Sequence, residues 1–317
     1  MKIPPRQRET GRRDAKTSSR PVSASLARRR RAGKPPADAG AEKKRPPADA
    51  GGADKVITLL TDFGVADYFV GAVKGVILAA NPNARIIDIT HEIAPHDIEA
   101  AAFTLLAAHE SFPAGTIHVA VVDPGVGSAR RPLLIRASEQ FFVGPDNGIF
   151  SYVCDRSEQA EIVHLTNSKY FRHPVSPTFN GRDIFAPVAA ALSTGVTPAD
   201  LGDKVKDYVK LKPLQAEAAS NGEIVGRIIH VDRFGNCVTN ITPAELTPRM
   251  IAGGARLRVK GKVVKSFRNY FAEVTGSKDK VFAVWGSAGF LEIAAAQRSA
   301  AQILKVSRGD EVIASQP

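Results

Sequence analysis

Apolar and polar positions divide the chain into three textures. Residues 1–54 carry no periodic apolar pattern. From Lys55, short apolar runs alternate with stretches of helical spacing. "VITLL" (56–60), "ARIIDI" (84–89) and "TIHVAVV" (116–122) predict strands, and "YFVGAVKGVILAA" (68–80) and "DIEAAAFTLLAAHESF" (97–112) predict helices between and after them. That alternation predicts an α/β N-terminal domain with a mostly parallel sheet and short crossovers. A further helix is read at "DIFAPVAAALST" (183–194), followed by a polar connector, "KPLQAEAASNGE". Beyond it the pattern shortens to β segments, "IVGRIIHVD", "CVTNI", "RLRVKGKVV" and "KVFAVWG", broken by Gly, Asn and Lys. These predict a small all-β, barrel-like C-terminal domain, and the organisation expected is a tail over 1–54, an α/β domain over 55–212 and a β-barrel domain over 222–317.

In open α/β sheets ligands bind at the carboxyl ends of the strands. The polar loops there are "TDFG", "THEIAPHD" and "DPGVGSARR", which place Asp62, His96 and Asp123 along one rim.

Composition adds bounds. The 317 residues are 44% hydrophobic and 24% charged, as in a globular protein that folds by burial. No apolar run approaches the ~20 residues of a membrane span, and the N-terminus lacks the apolar core of a signal peptide, so a cytoplasmic address is expected. The net charge of +11 suggests nucleic acid until it is located: residues 1–54 hold 15 Lys and Arg against 6 acids, and the remainder 28 against 26. The basicity belongs to the tail, expected to be disordered, so a nucleic-acid partner is conceivable only through it. Cys154, Cys237 and the seven histidines show no metal-ligand spacing, and no metal site is read.

Four stretches carry candidate chemistry: "TDFGVADYFVGAVKG", "VVDPGVGSARR", "SPTFNGRDIFAP" and "HVDRFGNCVTNI". The "GVG" of the second lacks the Lys-Ser/Thr of a phosphate loop. Asp123 reads either as an exposed turn residue or as an acid paired with Arg130. Asp62 and Asp67 read as turn and helix-start residues, or as carboxylates for ribose hydroxyls. Asp232 and Asn236 could close a hairpin, with Asn236 at a positive φ, or contact an adenine edge. Arg182 and Asp183 read as a helix-start ion pair.

In this order, "TLLTDFG", "DITHEI", "HVAVVDPGVGSARR", "VGPDNGIF", "TFNGRDIFAP", "VDRFGN" and "WGSAGFLEIA" resemble the S-adenosyl-L-methionine (SAM) hydroxide adenosyltransferases, relatives of the fluorinases and chlorinases. The resemblance covers residues 55 to about 310. It implies attack of water or hydroxide on the ribose 5′-carbon of SAM, giving adenosine and methionine, with SAM as substrate and no cofactor. It also implies a homotrimer whose sites lie between the N-terminal domain of one subunit and the C-terminal domain of the next. Carried over by motif, Asp123 accepts a proton or orients the water, and Arg130 stabilises hydroxide character. Asn180 stands where the family has a histidine, which leaves room for a protein that binds SAM or adenosine without turnover. Asp62 matches the ribose-binding acid, with Asp67 and Tyr68 in the loop behind it. His96 and Phe179 fall near the substrate, Asp232 faces the methionine amino group, Asn236 contacts adenine and Ser287 the methionine carboxylate. A halogenase reading ranks low, because those relatives replace the Asp-Arg pair with a dry halide pocket.

Overall fold

The structure, a computed structural model, describes residues 55–274 and 280–317. The basic tail read over residues 1–54 lies outside the described residues.

The first sheet has seven strands: β1 (Val56–Thr61), β2 (Arg85–Thr90), β3 (Ile117–Val121), β4 (Pro132–Ala137), β5 (Gln140–Pro145), β6 (Glu161–Leu165) and β7 (Gly202–Val205), in the spatial order β2-β1-β3-β5-β4-β6-β7. The three strands read from the sequence pair in parallel, and β3 pairs in parallel with β5. The other half is antiparallel: β5 with β4, β4 with β6, and β6 with β7. The sheet is therefore mixed rather than mostly parallel. The cause is the β4–β5 hairpin, whose turn residues Ser138 and Glu139 sit at φ 50° and 60°. A two-residue turn with both φ positive matches strand twist but normally selects Asn or Gly, so "ASEQ" carries no turn signal.

Helices α1 (Phe69–Ala80) and α2 (Ile98–His109) make the crossovers read from the periodicity. Asp97 caps α2 by accepting a hydrogen bond from the Ala100 amide at 3.0 Å. The predicted helix at 183–194 begins differently, as a five-residue π-helical stretch, Gly181–Phe185, before regular α-helix over Ala186–Ser193. π-Helical turns are rare and concentrate at functional sites. One face of the sheet packs Ile57, Leu59, Val119 and Val121 against Ile77, Phe185 and Val188; the other packs Leu60, Ala120 and Phe142 against Leu105 and Phe150. Burial on both faces explains why four of the five β3 residues are apolar; the fifth, His118, is buried with its Nδ1 2.7 Å from Thr58 Oγ1.

The C-terminal residues form a second, bent sheet of short strands built around the long strand Ile224–Val231. Its first half pairs with Glu311–Ser315, and its second half with Cys237–Thr239. Phe103, Leu106 and Tyr152 meet Ile229, Val238 and Phe290 in an apolar seam between the two sheets. Asp97 reaches across to Arg308, with Nη1 of Arg308 2.7 Å from Asp97 Oδ1. Among the described residues no helix is long and apolar enough to cross a membrane.

Candidate active site

The rim expected from the strand order is present. Thr61 at the end of β1 pairs in register with Val121 at the end of β3, so Asp62 and Asp123 leave the sheet on the same side. The two flanking loops are tied together. Thr61 Oγ1 bonds His91 Nδ1 at 2.8 Å, the Gly64 amide donates to the His91 carbonyl at 2.8 Å, and the His96 amide donates to Asp62 Oδ2 at 2.9 Å. His96 adopts φ 68°, a left-handed conformation that turns its N–H toward Asp62.

The third loop answers why two glycines lie between an acid and an arginine. The Val126 amide donates to the Asp123 carbonyl at 3.2 Å and the Ser128 amide to the Gly125 carbonyl at 3.1 Å, so the chain folds back on itself. Gly127, at φ +80°, lies so close to the neighbouring loop that a Cβ there would stand 2.4 Å from the Pro177 carbonyl oxygen. Only glycine allows both the turn and the contact. Folding back brings Arg130 onto Asp123: Nε donates to Oδ1 at 2.9 Å, and Nη2 donates to Oδ2. The same Nη2 donates to Asn180 Oδ1 at 2.6 Å, and Asn180 Nδ2 donates to the Ser176 carbonyl at 3.1 Å. The Arg130 guanidinium carbon stands 5.5 Å from the Phe185 ring centre. Asp123 and Arg130 side chains retain only 6% and 10% of their exposure, so the pair is shielded and its geometry fixed.

Asp62, His96, Asp123, Phe179 and Asn180 line one cavity of about 290 Å³, together with Phe63, Phe69 and Val126. Three of its walls are the rings of Phe63, Phe69 and Phe179, with centroids 5.3–6.0 Å apart. Arg130 is not on that wall; it stands behind Asp123 and Asn180 and holds both. Asp67 and Tyr68 also lie outside the cavity lining: both are exposed, and the Tyr68 ring lies tilted against Phe69, with centroids 4.6 Å apart. Arg131 turns the other way, to Asp146 (Nη2 to Oδ2, 2.7 Å) and the exposed Asp207 (Nη1 to Oδ1, 3.2 Å).

Asp232, Asn236 and Ser287 are gathered elsewhere, in a second cavity of about 800 Å³. The turn 232–236 joins two antiparallel strands, as read from "DRFGN", but the positive φ belongs to Gly235 (+81°) and not to Asn236. A Cβ on Gly235 would stand 2.1 Å from Ser299 Oγ. Asp232 Oδ1 accepts from the amides of Phe234 (2.9 Å) and Asn236 (2.8 Å), and its Oδ2 accepts from Asn236 Nδ2 at 2.9 Å. Asn236 Oδ1 takes no part in these bonds, and Asn236 is among the residues that line the cavity. Glu292, which the sequence reading did not single out, lines the same cavity; burial first, then the nearby Asp232 charge, raises its pKa. Its signal was present in "LEIA", where an acid interrupts an otherwise apolar strand. Among the described residues no three His, Cys, Asp or Glu side chains gather as a metal-ligand set.

Residues 57–202 match the model of the SAM hydroxide adenosyltransferase N-terminal domain, and residues 226–313 match that of the C-terminal domain. The chain belongs to that family. It is 38% identical to the (R)-S-adenosyl-L-methionine hydrolase of Methanocaldococcus jannaschii over 81% of this chain and 94% of that protein. The enzyme of the same name from Thermus thermophilus is 34% identical, covering 80% and 96%. A fluorinase from an Actinoplanes species is more distant, at 26% identity over 64% of this chain and 77% of its own length. Among solved structures, an uncharacterized conserved protein from Thermotoga maritima superposes with a TM-score of 0.77 at 37% identity, covering 82% of this chain and all of that one. Asp123 and Asn180, both held from behind by Arg130, are polar groups on the wall of a cavity that Asp62, His96 and three phenylalanine rings also line.

Proposed function

We propose that this member of the SAM hydroxide adenosyltransferase family hydrolyses SAM, in the (R) configuration at sulfur named for its relatives, to adenosine and L-methionine. The observation that carries the reading is a carboxylate, Asp123, on the wall of an aromatic cavity and held there by a bidentate guanidinium. One water is aligned behind the ribose 5′-carbon. Its oxygen forms the new C–O bond as the C–S bond breaks, the electron pair leaves with methionine sulfur, and the water's proton passes by way of the Asp123 carboxylate to bulk solvent. Asp123 accepts a hydrogen bond from that water and so turns an oxygen lone pair toward carbon. Arg130 keeps the carboxylate and the Asn180 carboxamide in register. Asp62 is placed to take the ribose hydroxyls, while Phe63, Phe69 and Phe179 exclude competing water.

Residues 55–212 are read as the catalytic unit and 222–317 as the unit that carries the second half-site. Asp232, Asn236, Ser287 and Glu292 suit the adenine and methionine ends of the substrate, yet they line a different cavity from Asp123. Both half-sites sit beside exposed apolar side chains, Val65 (76%) and Tyr68 (69%) near the first, and Phe234 (77%) at the second. Closure of one subunit's first half-site by a neighbour's second, in a homotrimer, accounts for both. A monomeric sedimentation coefficient in an active preparation would contradict it.

The deciding assay incubates SAM with the protein and follows adenosine and methionine; no adenosine at any pH from 6 to 10 overturns the hydrolase reading. One observation favours binding without turnover as the second reading: Asn180 has no proton-accepting nitrogen, and both ends of its carboxamide are engaged. That difference has a testable consequence. Asn180→His restores an imidazole beside Arg130 and is expected to raise kcat by about 10²-fold, the lower end of what a positioned base contributes. It should also add a limb to the pH profile near the ordinary histidine value of about 6.5, with activity rising as pH rises through it. An unchanged rate and profile would show that position 180 only orients the water.

A further inference from the structure

We propose that Asp183 is a positioning residue that sets the geometry of Asn180, and through it that of Arg130 and Asp123. The proposal rests on the hydrolase reading of the site, not on any contact of Asp183 with substrate. Asp183 is fully buried, one residue beyond Arg182 in the π-helical stretch, and its carboxylate gathers four donors. Oδ1 accepts from Arg172 Nη1 at 3.0 Å and Arg182 Nε at 2.7 Å; Oδ2 accepts from Arg182 Nη2 at 2.7 Å and the Ser176 amide at 2.9 Å. Burial alone would raise its pKa, but the bonds from Arg182, Ser176 and Arg172 outweigh it and bring it down to about 2, so the carboxylate is ionised at every assay pH.

Two of those bonds lead to the cavity. The Ser176 residue that donates its amide to Asp183 offers its carbonyl to Asn180 Nδ2, and Asn180 Oδ1 accepts from Arg130. The next residue, Pro177, is the one whose carbonyl lies against Gly127 in the loop that carries Asp123 and Arg130. The loop 176–178 is thus held on one side by Asp183 and touches the reacting groups on the other. In parallel, Arg182, clamped by Asp183, stands 5.0 Å from the centre of the Phe179 ring, a wall of the cavity. A single buried anion orders both the polar and the aromatic side of the site. The π-helical spacing is the bond from the Ala186 amide to the Gly181 carbonyl, five residues back, and Asn180 stands at the N-cap of that stretch, three residues before Asp183.

The test is a cycle of wild type, Asp183→Asn, Asn180→Ala and the double variant, read as single-turnover rates with protein in excess and as SAM dissociation constants by calorimetry. Asp183→Asn is expected to lower the rate by about 10²-fold, the effect of a misplacement on the order of 1 Å, with the dissociation constant changed less than about threefold and binding stoichiometry unchanged. In the Asn180→Ala background the same substitution should change the rate by about tenfold or less, because the route through Asn180 is gone and only those through Pro177 and the Phe179 ring remain. Rates that multiply across the two sites, or a fall in stoichiometry that matches the fall in rate, would overturn the proposal and leave Asp183 a stabilising residue only. Where Asp183→Asn does not fold, the half-exposed Arg172→Ala replaces it under the same criterion, with an expected loss of several-fold. A wild type that binds SAM without releasing adenosine defeats the hydrolase reading alone; the cycle is then scored on the dissociation constants, where coupling between positions 183 and 180 supports the proposal and independence overturns it.

Discussion

Replacement of Asp123 by alanine is expected to lower the rate of adenosine release by roughly 10²- to 10⁴-fold, the range of a positioned acid–base or water-orienting group. The loss should fall on kcat. Asp123 occupies the small cavity's wall, whereas the residues suited to the two ends of SAM stand mostly elsewhere. SAM affinity should therefore remain within about tenfold of wild type, because the interaction removed serves the attacking water and not the ground-state substrate. A kcat reduced less than threefold would remove Asp123 from the mechanism. A loss carried entirely by KM would make it a binding residue.

Arg130→Ala is expected to be worse for the protein and nearly as bad for the reaction. The guanidinium holds Asp123 with two donors and Asn180 with one, in a place where both ionic partners are almost entirely shielded. Removing it strands a buried carboxylate, a change that costs about 3–5 kcal/mol when a buried pair is broken from one side. The urea midpoint should fall accordingly. Activity should fall by roughly 10²-fold as Asp123 and Asn180 lose their common anchor. Arg130→Lys is expected to recover stability better than rate, because a point charge can neutralise Asp123 but cannot bond it bidentately while reaching Asn180. Equal recovery of both would mean that charge, and not geometry, is what the site requires.

The comparison of these variants with Asp183→Asn separates two kinds of contribution. Arg130 touches the groups on the cavity wall, while Asp183 acts two bonds further out, through the loop 176–178. Active sites need such outer support, because a side chain on a loop is no better placed than the loop itself. Here the loop is pinned by a charge-assisted bond from the Ser176 amide to a residue with no exposed surface.

Much of this was legible in the chain. Apolar-rich runs at 56–60, 84–89 and 116–122, separated by helical spacing, pointed to three parallel strands, since parallel neighbours require helical crossovers; β1 and β3 are buried almost throughout, whereas the edge strand β2 keeps Arg85 and Asp88 exposed. From that alone it followed that Asp62, His96 and Asp123 share a rim, because parallel strands end on the same side. The pairing of Asp123 with Arg130 and Asn180 was also expected, through glycines spaced to fold the loop back and through the ordered motifs of the family. Tertiary structure decided the rest. The antiparallel half of the first sheet depends on a hairpin at Ser138 and Glu139, whose positive φ values are imposed by strand pairing and leave no mark in residue type. Arg131, identical in kind to Arg130 and adjacent to it, is turned toward Asp146 and Asp207 because successive side chains diverge where β4 begins. The position of Arg130 behind the wall, the burial of Asp183 among four donors, and the separation of the two half-sites into different cavities all arise from contacts between segments distant in sequence. Local pattern specifies which elements form and which loops meet; the direction of each side chain is set only when those loops pack.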